Sequence, residues 1–152
     1  MKINYDMVIM TMNMAKHIYI IGDGGSAALS DHFACDLLKN CRLPAISLCS
    51  NTAILTAIGN DYSFDDVFSM QLDVLFQPDD LLIIFSGSGN SVNLINASLA
   101  VHNVIAVIGG GILKGHSSFG KFVCVINGKD QMELEDNMLV FCHEVTRRLS
   151  KV

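Results

Sequence analysis

The sequence predicts a three-layer α/β protein, an αβα sandwich over a five-stranded parallel sheet. Three observations predict it. Five short apolar runs rich in Ile, Val and Leu, at 17–21, 44–49, 81–85, 104–108 and 122–126, have the length of strands. They are mostly apolar, and Leu81 to Phe85 continuously so, as strands covered on both faces should be. Helical stretches separate these runs, and none of them needs a hairpin to reach the next. Glycine- and hydroxyl-rich turns follow the first and third runs, at 22–26 and 86–91. In a parallel sheet both turns lie on the carboxyl edge, where ligands bind.

Taken in order, residues 3–15 carry Ile3, Met7, Met10 and Met14 at helical spacing, which predicts a short helix whose methionine stripe belongs to the core or to a subunit contact. His17 to Ile21 is the first strand. The glycines at 22, 24 and 25 allow a tight turn, and Ser26 stands where the N-cap of a helix over 26–39 is expected, ending near Asn40. Pro44 opens the second strand, a position a proline tolerates. Ser50, Asn51 and Thr52 offer N-caps for a short helix through Ile58, with Gly59 as its stop, and 60–63 is a polar turn. Asp65 to Phe76 is amphipathic, with Val67, Phe68, Leu72, Leu75 and Phe76 inward, and Pro78-Asp79-Asp80 breaks it. Leu81 to Phe85 reads as a central strand, and a helix runs from the next turn to about Ala100. The strand at 104–108 ends in Gly109-Gly110-Gly111, and 112–120 is loop. The stretch 130–150 places Met132, Leu139, Val140, His143, Val145 and Leu149 in helical rhythm, with acids early and bases late to suit the helix dipole.

A chain of 152 residues forms one domain over 1–152. Its net charge of −5 speaks against a nucleic-acid surface. No apolar run reaches membrane-spanning length, and the N-terminal stretch is a poor signal peptide, interrupted by Asp6 and without a small-residue cleavage site. A cytoplasmic location is expected. The five cysteines, Cys35, Cys41, Cys49, Cys124 and Cys142, show no CxxC pair and read as reduced, buried thiols. A hydrophobic fraction of 51% together with the methionine stripe predicts a homo-oligomer.

The first glycine turn has two readings of about equal weight, a tight βα turn and an anion site at a helix N-terminus. The helix after it adds His32 and Asp36, four apart on one face, a pair that can bind a metal or move protons. In the second turn Ser86, Ser88 and Ser91 each offer an O–H while the glycines expose backbone N–H groups. Neither a Walker A loop nor a full G-x-G-x-x-G fingerprint is present. Ordinary helix capping explains the second turn taken alone; the two turns together favour a phosphate.

Several blocks resemble the sugar isomerase (SIS) domain family, and within it the phosphoheptose isomerases. They are Gly22 to Ala28, His32 to Leu37, Leu43 to Leu48, Ile54 to Tyr62, Asp66 to Ser69 and Ser86 to Ser91, in unbroken order. The resemblance implies a flavodoxin-like sheet and an aldose–ketose isomerase converting sedoheptulose 7-phosphate to D-glycero-D-manno-heptose 7-phosphate. It further implies that Ser86, Gly87, Ser88 and Ser91 hold the sugar phosphate, that Asp23, Gly24 and Gly25 form the first substrate loop, and that Asn60 and Asp61 contact substrate. His32, Asp36, Glu135 and His143 fall on the positions of a zinc or similar divalent-ion site, Asp36 and His143 on the catalytic base and acid, and Glu135 also on a substrate contact. Glu135 and His143 stand eight apart, within about 80° on one helix face. The family's tetramers have sites completed by neighbouring subunits, so the resemblance implies a homo-oligomer here, a tetramer or dimer.

Three positions depart from the family. Asp23 stands where it has Asn, Asp36 where it has Glu, and Glu135 where it has Gln. Sixteen residues precede His17, where the family has a longer helical region, so a reduced or altered oligomer is expected. The departures at Asp23 and Asp36 keep a second reading open: a non-catalytic SIS module that senses a phosphosugar or serves as an assembly partner, like the replication-initiator-associating relatives. The retained His32 and His143 favour the enzyme.

Overall fold

The computed structural model describes residues 3–109 and 122–150. The expected loop at 112–120 lies outside them. Five parallel strands, β1 (Ile18–Gly22), β2 (Ala45–Ser47), β3 (Leu81–Ser86), β4 (Val104–Ile108) and β5 (Phe122–Val125), form one sheet in the order β2-β1-β3-β4-β5. Around it lie α1 (Tyr5–Met14), α2 (Gly25–Cys41), α3 (Thr52–Asp61), α4 (Ser69–Leu75), α5 (Val92–Ala100) and α6 (Gln131–Leu149).

Alternate side chains of each continuous apolar strand feed two cores. Ile18, Ile20, Leu81, Ile83 and Phe85 meet Val8 and Met12 of α1, Phe33 and Leu37 of α2, and Met138 and Phe141 of α6. On the opposite face Tyr19, Ile21, Leu82 and Ile84 meet Ile58 of α3, Leu72 of α4, and Leu94 and Ala97 of α5. The three layers expected from the apolar runs are present. Asp80, fully buried between α4 and β3, clamps the starts of β1 and β3. Its carboxylate accepts from His17 N at 3.0 Å, His17 Nδ1 at 2.9 Å and Gln77 N at 2.8 Å.

Four local expectations change. The residues of α1 that bury are Val8 and Met12, whereas Met7, Met10 and Met14 are exposed, so the methionine stripe is not core. Gly59 does not stop α3, because the ladder continues with Tyr62 N bonded to Ile58 O and a Cβ at 59 would meet nothing closer than 3.9 Å. The stretch 65–76 splits into a 3₁₀ turn at Phe64–Asp66 and α4, and Leu75 faces out, while Val67, Phe68 and Leu72 are buried. Cys35 is exposed and Cys41 and Cys49 are half-buried; only Cys124 and Cys142 fit the buried-thiol reading.

Burial pushes the Cys124 thiol up from 9.0 to about 12, and burial raises Cys142 well above its ordinary value. A group raised in the folded state contributes stability that is complete below its unfolded value and is lost as pH climbs towards its folded one. Stability should therefore fall above pH 9, by about 2 kcal/mol from Cys124 alone between pH 8 and pH 10.5. Urea melts at the two pH values would show it, and Cys124→Ala should remove that share of the loss. An identical pH slope in the variant would contradict the assignment.

Candidate active site

The strand order reverses between β1 and β3, which are neighbours in the sheet although β2 separates them in sequence. Their register pairs Gly22 with Phe85, so Asp23 and Ser86 leave the carboxyl edge side by side at this switch point. The two turns singled out by composition thus form one site. Asp23, Ser26, Ser86, Gly87, Ser88, Ser91 and Gln131 line a polar pocket of about 190 Å³ there.

Local chemistry shapes each wall. Gly24 takes φ +56°, a conformation side chains other than glycine rarely adopt, and occupies the N-cap of α2 with no side-chain capping bond. The expected cap, Ser26, lies inside the helix and is buried, its carbonyl accepting from Ser30 Oγ at 2.8 Å. In the second turn Ser86 Oγ accepts from Gly89 N at 3.0 Å and Ser88 Oγ from Asn90 N at 3.2 Å, which leaves both O–H groups able to donate. Ser91 occupies the N-cap of α5 but makes no side-chain capping bond, so plain capping does not account for it. Asp23 Oδ1 accepts from Nδ2 of the buried Asn93 at 2.8 Å, tying the first turn to α5.

Further along the same two helices, α2 and α6 bring His32, Asp36 and His143 together. His32 Nε2 lies 3.0 Å from His143 Nε2 and 3.4 Å from Asp36 Oδ2, and His143 Nε2 lies 4.0 Å from that oxygen. An N···N contact this short needs a shared proton or an ion in its place, since two bare lone pairs would repel. These separations bracket the roughly 3.3 Å expected between neighbouring ligand atoms of a tetrahedral zinc, and the donor types suit it. The trio therefore fits a divalent ion. Asn40 Nδ2 donates to Asp36 Oδ1 at 3.1 Å and fixes the carboxylate from behind.

Glu135 is not brought into that trio. Its carboxylate lies instead over the first turn, where a Cβ on Gly25 would fall 2.7 Å from Oε2, and it accepts from Gln131 Nε2 at 2.8 Å. Asn60 and Asp61 are not a turn but the last residues of α3, hydrogen-bonded to each other at 2.7 Å. Asp61 lines a separate apolar groove between α3 and α4 that shares no lining residue with the polar pocket. Within one chain these two residues and the phosphate-type turns are not assembled. Gln131, Asn93 and Asn40 were missed in the sequence because isolated amides on helices carry no pattern.

Residues 2–109 match the SIS domain family. The chain is 35% identical to a phosphoheptose isomerase of Campylobacter concisus, over 95% of this chain and 81% of that one. It is 46% identical to a phosphoheptose isomerase of Laribacter hongkongensis, over 68% of this chain and 57% of that one, so it spans less than two thirds of that relative. It superposes on the phosphoheptose isomerase of Neisseria gonorrhoeae with a TM-score of 0.86 at 30% identity, covering 95% of this chain and 84% of the other. The switch-point site and these likenesses agree, and the chain belongs to the SIS domain family, in its phosphoheptose isomerase group.

Proposed function

We propose that this chain is a phosphosugar aldose–ketose isomerase acting on sedoheptulose 7-phosphate and D-glycero-D-manno-heptose 7-phosphate. The observation that carries it is the separation of two chemically distinct ends on one pair of helices. Gly25 faces Glu135 at the polar pocket, and His32 faces His143 farther on. His32 is seven residues on from Gly25 in α2 and His143 eight on from Glu135 in α6, about 10 to 12 Å of helix rise. An extended seven-carbon chain spans roughly 10 Å from its terminal phosphate to C1, at about 1.25 Å per bond. That spacing supports a pose with the phosphate among Ser86, Ser88 and Ser91 and the carbonyl end towards Asp36.

Asp36 takes a proton from C1 of the ketose and returns it to C2, with an enediol between. His143 supplies a proton to the C2 oxygen and takes one back from the C1 hydroxyl as the aldehyde forms. His32, Asp36 and His143 would hold zinc or a similar divalent ion, which when bound polarises the carbonyl. Glu135 and Asp23 accept hydrogen bonds from substrate hydroxyls. Asn60 and Asp61 would contact substrate from a second copy of the chain. The exposed Met7, Met10, Met14, Tyr62 and Phe64 support a homo-oligomer, dimer or tetramer. Among the described residues no helix is long and apolar enough to cross a membrane; a cytoplasmic site of action belongs to this reading.

Inorganic phosphate should raise the melting temperature, because a ligand confined to the native state stabilises it by mass action, by about 2.7 kcal/mol at a hundredfold excess over Kd. The Ser88→Ala/Ser91→Ala variant should lose the shift. If it melts and responds like wild type, the second turn is not the phosphate site. Light scattering on the same sample should return a mass above the 16.5 kDa of one chain.

A further inference from the structure

We propose that Gln131 is a phosphate-binding residue of this pocket, donating an amide N–H to the bound anion while Glu135 fixes the amide's orientation. The proposal rests on the reading of the serine turn as the phosphate site. Gln131 opens α6 and lines the pocket with Ser86, Gly87, Ser88 and Ser91. A Cβ on Gly87 would fall 2.7 Å from Gln131 Nε2 and 2.8 Å from Oε1. With glycine at 87 the amide lies directly on the turn, where a Cβ would have to push it aside.

A carboxamide nitrogen carries two hydrogens. One goes to Glu135 Oε1 at 2.8 Å, and the second is left for a ligand. Among the described residues the pocket lining contains the carboxylate of Asp23 and no lysine or arginine. From these residues a phosphate dianion can be held only by neutral donors aimed at it, and every added donor counts. Gln131 serves this balance twice. It adds a donor, and its bond keeps the Glu135 carboxylate turned towards Gly25. Asp23 is restrained in the same way, by the amide of Asn93 at 2.8 Å. Each acid beside the pocket is therefore tethered by a carboxamide, and Gln131 is the one of the two amides that also lines the pocket.

The test is titration with inorganic phosphate by calorimetry, alongside steady-state kinetics with sedoheptulose 7-phosphate. Gln131 is exposed, so Gln131→Ala should leave the unliganded melting temperature unchanged. It should weaken phosphate about tenfold, the usual loss for one hydrogen bond to a charged group, and raise KM with little change in kcat. Gln131→Glu sets a third carboxylate beside Glu135 and should abolish phosphate binding. Phosphate affinity within twofold of wild type in Gln131→Ala, while Ser88→Ala/Ser91→Ala abolishes it, overturns the role of Gln131 and leaves the pocket assignment standing. A lowered unliganded melting temperature with unchanged affinity overturns it as well, in favour of a structural role. Wild type that binds no phosphate overturns both.

Discussion

Replacing Asp36 with asparagine should lower turnover about 10³-fold, in the range for loss of a general base, while phosphate still raises the melting temperature. On the proposed reading the two effects separate, because the turns assigned to the phosphate lie about three helical turns away from Asp36 along α2. His143→Ala should lower both turnover and metal content if, as proposed, the same imidazole serves as proton donor and as ligand. Asp36→Glu discriminates further. The family carries the longer acid, yet here Asp36 Oδ2 already lies 3.4 Å from His32 Nε2, with Oδ1 held by Asn40. An added methylene pushes the carboxylate about 1 Å into the imidazoles, and a misplacement of that size costs roughly 100-fold in rate. Single-turnover rates would decide it. A faster Asp36→Glu enzyme would show the native site to be crippled by its short acid. Inactivity of both forms, with no metal in either, would return the reading to a phosphosugar-sensing module.

The second large effect concerns stability. Asp80→Ala leaves the backbone N–H groups of His17 and Gln77 and the His17 ring without their buried acceptor. The expected cost is about 3 kcal/mol, or a fall of roughly 10 °C in melting temperature for a domain of this size. Asp80→Asn should cost less, because one acceptor oxygen remains. Activity per folded molecule should be unchanged, as Asp80 clamps the amino ends of β1 and β3 while the site sits at their carboxyl ends. A shift under 2 °C for Asp80→Ala would mean that water replaces the lost carboxylate.

Periodicity and composition by themselves determined the layers, the five strands and the two glycine- and serine-rich turns. Each of these depends on local information: apolar runs without alternation need cover on both faces, and glycine with serine makes a turn wherever it stands. The His32/Asp36 pair was legible for the same reason, since spacing four on a helix fixes a common face. The wrong details were also local choices, decided by competing forces farther away. Ser26 has the chemistry of a cap, but Gly24 reaches the backbone geometry first and Ser26 is packed inside. Of the two readings of the methionine stripe, core or subunit contact, the core one fails for Met7, Met10 and Met14, because Val8 and Met12 take the inward positions against the sheet. Asp80 read only as a helix breaker, because nothing in sequence places it 63 residues from its partner His17. What only the tertiary structure decided is which residues converge: β1 beside β3, so that two turns share one pocket, and α2 beside α6, so that His143 closes on His32 while Glu135 stops short at Gly25. Those distances depend on how two helices pack on one face of a twisted sheet, a sum of many weak contacts that no spacing along the chain encodes.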